Sequence, residues 1–157
     1  MTGDRDNERP STDGVGDWPI DQAAVGMVRY TPYAKALGMR YVSSTADRGT
    51  ILLPWREDLV GIDGTDILSP GAVTALIDHA CGLAIMVSTS FGASAATLDL
   101  RIDHMRPAAP RASVTCAAHV YRATKTIAFL RAEAWDVSPE DPVAIAQAAF
   151  NLNRRSA

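Results

Sequence analysis

Asp78 stands inside the longest apolar run of the chain, Gly71 to Val87, with Thr74, Ala75, Ile77, Cys81 and Gly82 as its helical neighbours. A carboxylate among small and apolar side chains is costly to bury unpaired, and burial raises its pKa. A raised carboxylate pKa suits general-base chemistry near neutrality. The competing reading is structural, with Asp78 capping nearby backbone or pairing with an arginine. His79 is adjacent, but consecutive helical positions point about 100° apart, so the two side chains cannot aim at one atom. His79 therefore reads as a packed or interface histidine, and His104, at the end of a strand pattern, reads as structural too. Cys81 and Cys116 lie in apolar segments with no second Cys or His at metal-ligand spacing, and read as buried, reduced thiols. Cys81 lacks the base and the exposed, electropositive setting that a nucleophilic thiolate needs. Arg106, Arg122 and Lys125 fall at strand ends, where they suit either the phosphates of a ligand or plain solvated turns. No Gly-rich phosphate loop, Ser-His-Asp order or metal motif accompanies them.

The elements that must position these groups follow from patterning. Ser69 suits a helix N-cap and Pro70 the first helical position, so a helix is expected from there through Val87. It is apolar almost all round and should be buried on most sides. Upstream, Asp21 to Val28 and Pro32 to Leu37 read as short helices. Met39 to Ala46 and Thr50 to Trp55 read as strands across the turn signal Asp47-Arg48-Gly49. Glu57 to Pro70 is a long connection, a length that often carries function. Downstream, Ala96 to Arg106 alternates, with Leu98, Leu100 and Ile102 on one face and Thr97, Asp99, Arg101 and Asp103 on the other. Ala112 to Tyr121 places Val114, Cys116, Ala118 and Val120 on one face. Thr126 to Val137 and Val143 to Asn151 complete the set, and the four strands are expected to form an antiparallel meander.

The chain has 157 residues and a formal net charge of -3, which fits one globular domain and argues against a nucleic-acid surface. Residues 1–17 are polar and acidic, without the apolar run of a signal peptide, and read as a disordered tail before a single domain at 18–157. The apolar helix is interrupted by Asp78 and His79, which points to a soluble, cytoplasmic protein with no membrane partner. Two strands, one long apolar helix and four more strands give an α+β class. One flat sheet cannot cover such a helix, so the sheet must curl around it. The expected architecture is a hotdog fold, a long central buried helix wrapped by a curved antiparallel sheet.

Three stretches then resemble one family. They are Leu68-Ser69-Pro70-Gly71 with Ala75-Leu76-Ile77-Asp78 and Gly82; Thr97 through Pro107; and Val120 through Lys125 with Ala144 through Phe150. In this order and spacing they are similar to the phenylacetate-pathway type of hotdog acyl-CoA thioesterase. The resemblance implies that Asp78 is the general base or nucleophile and that Thr97 places the attacking water. It puts the carbonyl-binding loop at Ser69-Pro70-Gly71 and the upstream amide position at Asp63. Three positions depart from the family pattern: Ser69 replaces His, Pro70 replaces the oxyanion-donating Gly, and Asp63 replaces an amide. Proline has no N–H to give. The Gly71 N–H, at the positive end of the helix, is the expected substitute. Arg106, Arg122 and Lys125 would then face the phosphates of coenzyme A. The resemblance further implies no metal or redox cofactor, coenzyme A only as part of the substrate, and a homodimer or tetramer with its site at the subunit interface. The alternative is a non-catalytic acyl-CoA-binding or regulatory hotdog protein.

Overall fold

The computed structural model describes residues 20–89 and 93–154, so the expected tail at 1–17 lies outside the described residues. Two helices open it, α1 (Ile20–Tyr30) and α2 (Pro32–Leu37). Pro32 takes the first turn of α2, and Gly38 ends it in the left-handed conformation. Strands β1 (Arg40–Ser44) and β2 (Arg48–Leu53) follow as an antiparallel pair. Helix α3 (Pro70–Ser88) comes next, then β3 (Ala93–His104), β4 (Val114–Ala123), β5 (Ile127–Trp135) and β6 (Ala144–Arg154). Every strand pairing is antiparallel, in one six-stranded sheet of order β1-β2-β4-β5-β6-β3.

The expected four-strand meander is corrected by that order. Only β4-β5-β6 is a meander, while β3 pairs with β6 at the far edge and β4 returns to pair with β2. Packing accounts for the difference. The chain leaves β2, crosses the inner face of the sheet as α3, and re-enters at the opposite edge. The segment from 105 to 113 then carries it back to the middle. Strands that alternate in hydrophobicity declare which face is buried, not which strand lies beside them.

The inner face of the sheet suits a closely seated helix. On β5 and β6 it is lined by buried Ala128, Ala132, Ala134, Ala144, Ala146 and Ala148. Larger side chains, among them Ile51, Leu53, Leu76, Leu83 and Leu130, fill the space around these and are fully buried. At Gly49 the approach is closest. A Cβ built there would lie 2.6 Å from Leu83 Cγ and 2.9 Å from the backbone nitrogen of Ala84. The expected face of β4 is observed, with Val114, Cys116 and Ala118 buried. Helix α3 is long and apolar enough to cross a membrane by composition; half of it is buried against the protein, which gives that composition a core role.

Candidate active site

Helix α3 does not bury its whole circumference. Leu76, Ile77, Ala80, Cys81, Leu83 and Ala84 are buried, but Gly71, Thr74, Ala75, Asp78, His79 and Gly82 form a partly open stripe. Their spacing of three and four residues puts them on one side of the helix. Asp78 is therefore half-buried, and it has a partner: Thr97 Oγ1 on β3 donates to Asp78 Oδ1 at 2.8 Å. The pair borders a cleft of about 270 Å³ whose remaining wall is largely apolar, with Met27, Ile85, Met86 and Phe150. His79 borders the same cleft. Burial pushes its imidazole below the ordinary value, against the opposing pull of the Met27 backbone and the Asp78 charge. Its Nε2 is buried without a hydrogen-bond partner among the described residues.

Thr97 reaches Asp78 through a backbone irregularity that alternation alone hides. The β3–β6 register shifts between Thr97 and Asp99, so Leu98 is the extra residue of a bulge. Before the bulge Thr97 pairs with Phe150, an inward residue; after it Leu100 and Ile102 pair with inward Ala148 and Ala146. Thr97 thus shares the inner face with Leu100 and Ile102. The expected grouping of Thr97 with Asp99, Arg101 and Asp103 is corrected, as is that of Leu98 with the inward residues. Leu98 is 60% exposed.

The start of α3 is built as the residue types require. Ser69 is the N-cap, and its Oγ accepts the Gly71 N–H at 3.2 Å. The Ala72 and Val73 N–H groups donate to the Ser69 carbonyl at 3.0 and 3.2 Å. Pro70 brings no N–H. The loop before it is a small hairpin. Gly61 N–H donates to Ile67 O, Ser69 N–H donates to Leu59 O, and Val60 bridges Leu68. Asp63 is exposed at its tip, inside the turn closed by Thr65 N–H on Ile62 O. It does not line the cleft.

A second cluster, not anticipated from the sequence, holds this loop from behind. Asp66 and Arg111 both adopt left-handed backbone, with φ of 56° and 60°. Arg111 N–H donates to Asp66 O at 2.8 Å, and Arg111 Nε donates to Asp66 Oδ2 at 2.8 Å. Trp55 Nε1 donates to the same carbonyl at 2.7 Å, and the guanidinium lies 5.3 Å from the centre of a Trp55 ring. Two non-glycine residues with positive φ in contact are the one signal of constraint here, and φ is not written in residue type.

The basic residues expected at phosphates are not gathered at the cleft. Arg106 is consumed by the loop it sits in. It makes a two-pronged ion pair with Asp136, at 2.6 and 3.0 Å, and a further bond to Asp141 at 2.9 Å. The guanidinium holds the Asp136 carboxyl well below the usual carboxylate range. The expectation that Arg106 binds phosphate is corrected on this ground: its donors are already engaged. Arg122 and Lys125 lie exposed around the β4–β5 turn, and His104 is exposed at the end of β3. Both cysteines are buried. Desolvation pushes Cys81 up to about 12 and Cys116 well above its ordinary value, so neither is a thiolate.

Residues 66–143 match the family model of the thioesterase superfamily. No curated protein matches the chain. Among solved structures, a Pseudomonas aeruginosa protein is 29% identical with a TM-score of 0.77, over 85% of this chain and 98% of its own. The PaaI protein from the phenylacetic acid degradation operon of E. coli is 21% identical with a TM-score of 0.74, over 88% of this chain and 94% of its own. A thioesterase-family protein from Silicibacter pomeroyi is 18% identical with a TM-score of 0.76, over 87% and 100%. The latter two likenesses concern the fold.

Proposed function

Because this chain has the hotdog fold and its residues 66–143 match the thioesterase superfamily model, we propose that it hydrolyses an acyl-CoA or a similar acyl thioester at the Asp78–Thr97 pair. The observation that carries this is the 2.8 Å hydrogen bond between them at the mouth of an apolar cleft. The acyl group lies against Met27, Ile85 and Phe150. Thr97 donates to one carboxylate oxygen of Asp78, which leaves its own lone pairs to accept from water. The other carboxylate oxygen takes a proton as that water attacks the thioester carbon. The C–S bond breaks, and the proton passes to the departing sulfur. In the covalent alternative Asp78 itself attacks the carbonyl carbon, the C–S bond breaks to release the thiolate, and water then opens the anhydride, one of its protons passing to the sulfur. Coenzyme A enters only as part of the substrate.

A second reading has one observation in its favour. Pro70 has no N–H and the Gly71 N–H is taken by Ser69 Oγ, so the backbone amides at the helix start are not free for an oxyanion. On that reading the cleft binds acyl-CoA without hydrolysing it. A panel of acyl-CoAs assayed by release of free thiol separates the two. Turnover of any member above the uncatalysed rate supports hydrolysis. Calorimetric binding with no turnover on any of them supports a binding protein.

The site is proposed to lie between two copies of the chain. Strand β3 is an edge strand, Ser94 through Asp99 are exposed along it, and the α3 stripe beside it is partly open. An unpaired edge of this length is a liability for a monomer and a ready surface for a second copy. Light scattering at micromolar concentration is expected to give the mass of a dimer or tetramer; a monomer there would contradict the interface.

A further inference from the structure

Resting on the proposed hydrolysis, we propose that Thr74 is a catalytic residue whose side-chain hydroxyl donates to the thioester carbonyl oxygen, in place of a backbone amide. The N–H groups of a first helical turn ordinarily lack partners and serve anions. Here none is left over. Pro70 has none, Gly71 bonds Ser69 Oγ, and Ala72 and Val73 both bond the Ser69 carbonyl. An oxyanion forming beside Asp78 must find its donor elsewhere.

Thr74 does not line the cleft but adjoins its Asp78 end on the same face of α3. It lies one helical turn before Asp78 on the open stripe, between Gly71 and Asp78, and is half-buried. Residues four apart on a helix have Cβ atoms about 5–6 Å from each other. One thioester carbon between them can meet a water held by Asp78 on one side and present its oxygen to Thr74 on the other. Helical side chains lean toward the N-terminus, so the Asp78 carboxylate leans toward Thr74. Helical threonines commonly spend their hydroxyl on the carbonyl four residues back. Thr74 Oγ1 makes no such bond, and no hydrogen bond to any other group among the described residues. Its proton is free for a ligand. In the reaction it stays on Thr74 throughout: the hydrogen bond tightens as the carbonyl oxygen gains charge, and relaxes when the C–S bond breaks.

Thr74→Val tests this, since valine keeps the shape and removes only the hydroxyl. On acyl-CoAs that the native protein hydrolyses, kcat is expected to fall about 100- to 1000-fold with KM little changed. Thr74→Ser, which keeps the donor, should remain within about tenfold of the native protein. Pro70→Gly added to Thr74→Val supplies a backbone N–H one turn away and should recover part of the loss. A Thr74→Val kcat within about threefold of native overturns the role of Thr74 and leaves hydrolysis standing. A native protein with no turnover on the whole panel overturns hydrolysis and the role of Thr74 together.

Discussion

Replacing Asp78 by Asn is expected to lower thioester turnover by about 100- to 10,000-fold while leaving the fold intact. The substitution is nearly isosteric. The side-chain carbonyl of Asn can still accept from Thr97 Oγ1, so the contact between α3 and β3 survives. The amide cannot take a proton from water or form an anhydride. Activity should therefore fall through kcat, with the melting temperature close to native, as measured by free-thiol release and circular dichroism. The opposite pattern, native turnover with a lowered melting temperature, would make Asp78 a structural partner of Thr97. The proposed chemistry would then be lost, although the fold and the match to the thioesterase superfamily model would stand.

The second large effect is expected on stability. Gly49→Ala places a methyl group 2.6 Å from Leu83 Cγ and 2.9 Å from Ala84 N. Leu83 Cγ is the branch point near the root of its side chain, and Ala84 N is helix backbone, so neither can swing aside. Strand β2 is held on both sides, by β1 and β4, and cannot retreat without breaking its ladders. Overpacking of this kind costs about 1–3 kcal/mol. For a chain of this length that is a fall in melting temperature of about 3–10 °C. Thermal unfolding followed by circular dichroism checks it, and a variant melting within about 1 °C of native would show that the helix can move outward freely.

Much of this protein is legible in its residues. Ser69 and Pro70 announce the start of α3 because a hydroxyl cap and a residue without N–H suit that position and few others. The unbroken apolar run after them declares a core helix. Val114, Cys116 and Ala118 alternate onto the core because strand side chains do so every second residue. Asp78 stands out because a carboxylate in such a run needs a reason. These are local properties, carried by residue type and by spacing of a few positions.

The tertiary structure decided what depends on long-range neighbours and on single-residue irregularities. Alternation placed Thr97 facing outward; one extra residue at Leu98 inverts the strand before it and turns Thr97 to Asp78. The neighbour of β3 proved to be β6, because face patterning carries no label for a partner strand. Arg106 looked available for phosphate until the fold brought Asp136 and Asp141 to it from some thirty residues further along the chain. The first turn of α3 looked like a source of free N–H groups, yet Ser69 takes all three that exist. Such outcomes rest on distances across the fold, and a side chain's type states which bonds it can make without stating which partner arrives first.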